Sequence, residues 1–136
     1  MPAKYEIIDH TADICIRAQG KSLSNAFENA GYALFDTMCD ASAVKPLTTK
    51  KVECQAEDLE QLLVDWLSEL LFICDVDDMV FSEFSVTIAD NNLVGKARGE
   101  KIDPDRHHLK TDVKAITYHM LEVDEKTNTV QELFDI

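Results

Sequence analysis

Asp13 near the start of the chain and Asp135 beside Ile136 at its end are the side chains with the plainest chemistry. A cation such as Ca²⁺ or Mg²⁺ takes several hard oxygen ligands. Asp13, Asp135 and a terminal carboxylate supply such a set if the first and last strands meet. Asp9 and His10 precede Asp13 in the polar run Asp9-His10-Thr11-Ala12-Asp13, and Lys114 and His119 lie in a later apolar-rich run. Polar side chains at strand ends need no ligand to explain them, so this set is a candidate and nothing more. Parity limits it further. In a regular strand Lys114 shares a face with Ile116, Tyr118 and Met120, whereas His119 shares the other with Ala115, Thr117 and Leu121, so the two cannot converge on one site. His119 on that apolar face reads as a hydrogen-bonded core histidine ahead of a ligand. His107-His108 reads as an exposed loop pair.

Other chemistries lack their motifs. The glycines stand only at 20, 31, 95 and 99, which leaves no glycine-rich phosphate loop, and there is no G-x-S-x-G and no H-E-x-x-H. The run Asp75-Val76-Asp77-Asp78 starts like a calcium loop but lacks the glycine at its sixth position and the glutamate at its twelfth, so an EF-hand is rejected. No cysteine pair forms a C-x-x-C, and Cys54 and Cys74 occupy apolar positions, so buried thiols in a reducing compartment are expected rather than disulfides or zinc.

Positioning the candidate residues falls to an alternation of strands and helices. Tyr5 to Ile8 is a short strand, and Ile14, Ile16 and Ala18 alternate as a second. Ser22 or Ser24 caps a helix whose apolar stripe is Leu23, Ala26, Phe27, Ala30, Ala33, Leu34 and Met38. A strand follows over 51–56. Asp58 then opens a second helix to about Cys74, with Leu59, Leu62, Leu63, Trp66, Leu67, Leu70 and Leu71 along one broad side. Phe84, Val86 and Ile88 alternate before a turn at Asn91-Asn92, and a strand continues over 93–100, where Gly95 and Gly99 suggest a bulge or close packing. Val113 to Glu122 reads as one long strand and Val130 to Ile136 as the closing one. The expected fold is α+β, a single domain over residues 1–136, in the order ββαβαββββ, with two helices packed on one mixed β-sheet.

Charge excludes whole classes of function. The chain of 136 residues carries 26 acids against 13 Lys and Arg, a formal net charge of −13. Such a surface repels a phosphate backbone and an anionic bilayer alike, so strong direct nucleic-acid or membrane binding is not expected. Between Val52 and Gly95 there are eleven acids and no Lys or Arg. An acidic stretch of this kind favours a basic partner, or serves solubility alone. With no apolar leader and no run long enough to span a bilayer, a cytoplasmic protein is expected.

Four segments together resemble the archease family: His10-Thr11-Ala12-Asp13, the leucine-rich helix Leu62 to Phe72, the run Val113-Lys114-Ala115-Ile116-Thr117-Tyr118-His119, and the ending Phe134-Asp135-Ile136. The resemblance spans essentially the whole chain. It implies a non-catalytic accessory protein of tRNA splicing. Archeases activate the RNA ligase that joins 3′-phosphate or 2′,3′-cyclic phosphate ends to 5′-hydroxyl ends with GTP and Mn²⁺, by promoting guanylylation of the ligase and its multiple turnover. By motif match the family's metal ligands fall on Asp13, Asp135 and Ile136, the last through its terminal carboxylate or its backbone. The implied cofactor is a divalent cation, Ca²⁺ first, with Mg²⁺ or Mn²⁺ as alternatives. His10 and Lys114 also match family-typical positions, and His119 joins them as an accessory candidate. Two other readings compete. A chaperone-like module with an acidic face binds basic clients and weakens uniformly with salt. A small metal-dependent hydrolase built on Asp13, Asp135 and His119 lacks an evident general base.

Overall fold

A computed structural model describes residues 4–10 and 13–136, together with all side chains there except those of Asp9 and His10. The first pair of strands, β1 (Tyr5–His10) and β2 (Asp13–Gln19), is antiparallel. β1 thus continues through Asp9 and His10, which the sequence assigns to a connection. Helix α1 (Leu23–Met38) starts at Ser22, whose hydroxyl accepts from the Asn25 N–H and satisfies one of the otherwise orphaned first-turn donors. A short 3-10 turn (Ala41–Ala43) leads to β3 (Thr48–Gln55).

Helix α2 (Leu59–Asp77) is capped by the Asp58 carboxylate, which accepts from the Gln61 N–H, and it ends in a left-handed residue at Asp78. It runs three residues beyond the expected end. Its leucine side is buried, and the indole N–H of Trp66 donates to the Phe27 carbonyl at 2.9 Å, pinning α2 to α1.

β4 (Met79–Ala89) and β5 (Asn92–Lys101) form a hairpin. Its two-residue turn, Asp90-Asn91, has positive φ at both positions, as a primed turn demands. Gly95 in β5 is required by close approach: a Cβ there would stand 2.7 Å from the Trp66 ring. At Gly99 a Cβ would collide with the Val80 carbonyl, beside the register shift between Phe81 and Glu83.

The strands form two sheets. β3, β5 and β4 make a three-stranded sheet in that order, and β1, β2, β8 (Thr129–Asp135) and β6 (Ala115–Ile116) make a second, with β7 (Glu122–Asp124) also on β8. The α+β class holds, with all described pairings antiparallel in two sheets rather than one mixed sheet. One cluster of buried side chains draws on both sheets and both long helices.

The expected strand over 113–122 is broken. β6 and β7 lie along the same side of β8, with Ile116 opposite Phe134 and Glu122 opposite Gln131. Between these pairs, residues 117–121 face only Glu132 and Leu133, so the surplus must leave the ladder. It does so through a turn with Met120 at φ 59°. The Leu133 carbonyl receives both the N–H and the hydroxyl of Thr117 where pairing stops.

The segment with the two adjacent histidines is also ordered differently. Pro104–His107 forms a short helix, α3, and His107 is fully buried while His108 is exposed. The His107 Nδ1 accepts from the Asp103 N–H at 2.9 Å, so the proton sits on Nε2 and is donated to Glu100 at 2.8 Å. Glu100 also receives the Lys45 N–H and both terminal nitrogens of Arg106. This cluster ties β5 to α3 and to the irregular segment leading into β3.

Candidate metal centre

The last strand meets the second strand of the chain rather than the first. β2 pairs with β8 over its whole length, and the register sets Asp13 directly opposite Asp135. Directly opposed residues have Cβ atoms about 4.5–5.5 Å apart on one face, so both carboxylates start from the same side of the sheet. Two like charges in that relation repel, and no described ion pair involves either of them. A hard cation between such carboxylates reverses the sign of the interaction, and the donor set, oxygen only, suits one. Ile136 follows at once, with its side chain packed against the core. Among the described residues there is no group of three or more His, Cys, Asp or Glu arranged to hold a metal. Asp13 and Asp135 are two carboxylates, short of such a group.

The accessory candidates are arranged unevenly. His10 belongs to β1 by its backbone, opposite Ile14, and its side chain lies outside the described residues, as do Thr11 and Ala12 of the same run. Lys114 precedes β6. Its N–H donates to the Asp135 carbonyl at 2.7 Å, which fixes the end of β8, and its side chain is exposed. His119 is neither on a strand nor in the core. It is exposed in the turn after Ile116, where its N–H meets the Thr117 hydroxyl at 3.3 Å. The parity that separates Lys114 from His119 in a regular strand does not apply across that turn. The structure brings Asp13, Asp135 and the Lys114 backbone together and leaves His119 elsewhere on the chain's path.

One ionisable residue escapes sequence reasoning altogether. Glu132 lies on the inner face of β8, opposite Ile16, and is fully buried. Its Oε1 accepts from the Leu133 N–H at 3.0 Å, while Oε2 has no hydrogen-bond partner. Burial pushes its carboxyl up to about 8, against smaller opposing effects of backbone donors at Leu133 and Thr117. The signal for it was available, since Glu132 shares with Val130 and Phe134 an otherwise apolar face of the closing strand. The thiols are shifted by burial as well: Cys54 rises to about 11 and Cys74 to about 12, with neighbouring acids adding to each.

Among the described residues no helix is long and apolar enough to cross a membrane. The model of the archease protein family (MTH1598/TM1083) matches residues 5–136. Protein archease of Sulfurisphaera tokodaii is 47% identical over 127 residues, covering 92% of this chain and 91% of its own. That of Pyrococcus abyssi is 44% identical over 125 residues, covering 89% and 88%. The solution structure of protein 1598 of Methanobacterium thermoautotrophicum gives a TM-score of 0.82 at 36% identity, over 99% of this chain and 100% of that one. A crystal structure described as an archease, possible chaperone, from Thermotoga maritima gives a TM-score of 0.59 at 21% identity over 96% of each chain, a likeness of fold.

Proposed function

The chain belongs to the archease family, and on that premise we propose that it is a non-catalytic activator of the GTP-dependent RNA ligase of tRNA splicing in the cytoplasm. It promotes guanylylation of the ligase and sustains its repeated turnover. The observation that carries the reading is the register of β2 on β8, which faces Asp13 with Asp135 beside Ile136. Asp13, Asp135 and Ile136 would hold a divalent cation, Ca²⁺ before Mg²⁺ or Mn²⁺, because the donors are all oxygen. Such an ion supplies charge neutralisation between the carboxylates and a contact point for phosphate or carboxylate oxygens. The chain's own part is to hold the carboxylates in register. The Lys114 N–H supports the Asp135 carbonyl, and the Ile136 side chain anchors the end of the strand. His10, Lys114 and His119 are accessory positions in this reading.

The acid excess supports a protein partner over RNA. An RNA ligase is basic around its substrate groove, and a negative surface is steered toward it. The test is guanylylation of the ligase with and without this protein, titrated with metal. Asp13→Ala and Asp135→Ala should each lower the stimulated rate about tenfold or more, the scale of weakened metal sites, with the unfolding midpoint unchanged or raised. Full stimulation by both variants at equal stability would remove the proposal. A chaperone-like module would instead bind many basic proteins, be indifferent to either substitution, and weaken with salt alone.

A further inference from the structure

A cavity of about 390 Å³ opens at the C-terminal end of α2. Its wall combines buried Val80 with Ile102 and half-exposed Leu109, and its rim carries Asp75, Asp78 and Asp112. The end of a helix is already negative, and cations in the last turn are the usual complement. Here the last turn has no basic residue of its own and the cap is itself an aspartate, and the helix end is met from β5 by the Lys101 ammonium, which donates to the Asp77 carbonyl. Asp77 is matched by Lys50 at 3.1 Å. Among the described residues no ion pair involves Asp75, Asp78 or Asp112. The one cation in the wall, Lys110, is turned away, its ammonium donating to the Asp36 carbonyl at 3.0 Å. Cys74, also in the wall, feels the same field: after burial, Asp75, Asp112 and Asp78 are among the groups that raise its thiol.

We infer that this cavity seats a basic side chain of the protein partner, an arginine foremost, with its apolar stem on Val80, Ile102 and Leu109 and its guanidinium among Asp75, Asp78 and Asp112. Such a side chain matches both halves of the wall, since arginine carries a long apolar stem and a planar charged fork that pairs with carboxylates. A purely apolar occupant would strand the acids, and a small inorganic cation would waste the apolar floor. The position suits the same partner that meets the chain ends. Asp112 lies two residues, at most about 7 Å of chain, from Lys114, whose N–H holds Asp135. The inference rests on the proposed function only in naming the RNA ligase as the source of the arginine.

The experiment has two arms. In the first, isotope-labelled protein is titrated with N-acetyl-arginine amide, and with the citrulline analogue as the uncharged control. Saturable shifts should appear at Ile102, Leu109, Thr111 and Asp112, with a dissociation constant of roughly millimolar order. The triple variant Asp75→Asn/Asp78→Asn/Asp112→Asn should weaken binding at least about tenfold with its unfolding midpoint held or raised. Asn is chosen because it tolerates the left-handed backbone at 78. No saturable shift, equal binding of citrulline, or undiminished binding by the variant would overturn the pocket. In the second arm, affinity for the ligase is compared between wild type and the triple variant. Loss supports the assignment of partner, and equal affinity overturns it. A wild-type protein with no affinity for the ligase sinks the proposed function and the assigned partner, and leaves the arginine pocket to stand on the first arm.

Discussion

Two glutamates, both buried in strands, have opposite fates. Glu100 in β5 has both oxygens answered: Oε1 by Arg106, and Oε2 by Arg106, the Lys45 N–H and the His107 Nε2–H, all within 2.8 Å. These bonds, the Arg106 fork first among them, hold its carboxyl well below the usual carboxylate range. Glu132 in β8 has one donor for one oxygen and none for the other. Burial is common to both, so burial does not decide the protonation state. The supply of donors does. Glu100 sits where a helical turn and a chain crossing deliver N–H groups. Glu132 faces the core from a strand, where, among the described residues, no charged or side-chain donor reaches it and backbone donors offset burial only in part.

The sharpest way to break the contrast is Glu100→Ala. It strands the Lys45 N–H, the buried His107 and the Arg106 fork, and should cost about 2–4 kcal/mol in urea unfolding at pH 7. A cost below 1 kcal/mol would mean that the cluster follows the fold and does not hold it. Next is Glu132→Met, which keeps volume and removes the orphaned oxygen. It should raise stability by about 1–3 kcal/mol at pH 8.

That gain should shrink toward pH 5, and the sign can be worked out. Between the ordinary glutamate pKa, about 4.3, and about 8, the folded state keeps the Glu132 proton and the unfolded state loses it. Wild-type stability therefore falls with rising pH across that window. Glu100 acts in the other direction. Its depressed carboxyl stabilises the fold above the ordinary glutamate pKa and loses that contribution as pH falls through the folded value. Unfolding curves at pH 5, 6.5 and 8 should slope for wild type and flatten for Glu132→Met. Equal slopes would place the titrating group elsewhere. The smallest change is Arg106→Lys. It replaces a two-point fork with a single ammonium and should lower the unfolding midpoint less than Glu100→Ala. An equal loss would make the fork, rather than the buried His107, the centre of the cluster.

Legibility followed the range of the interactions. Both long helices could be read from their stripes and their caps at Ser22 and Asp58, because periodicity and capping are local. The β4–β5 hairpin was legible for the same reason. The break between β6 and β7 was not, since its turn runs through Tyr118, His119 and Met120 with no Gly, Pro or Asn to announce it. A methionine bears the positive φ there. The placement of His107 was missed because it sits on a helical turn too short to show a period, and its partner Glu100 belongs to β5. For the candidate metal centre, the sequence supplied the aspartates as residues. Their opposition depends on pairing across more than a hundred residues, which no local pattern encodes.

β8 is the last strand in the chain, yet it lies inside its sheet, with β2 along one side and β6 and β7 along the other. While the polypeptide is still being synthesised, β2, β6 and β7 exist without the strand that joins them. The hairpin sheet and its helices have no such dependence, since β3, β4 and β5 are complete by residue 101. A chain interrupted before residue 129 therefore holds every strand of the hairpin sheet and leaves unpaired the edge of β2 that β8 covers, the kind of open edge that other strands can pair with. Asp13 acquires its neighbour only once residue 135 has been added, 122 residues later, so any property that depends on the two aspartates is absent from every shorter chain.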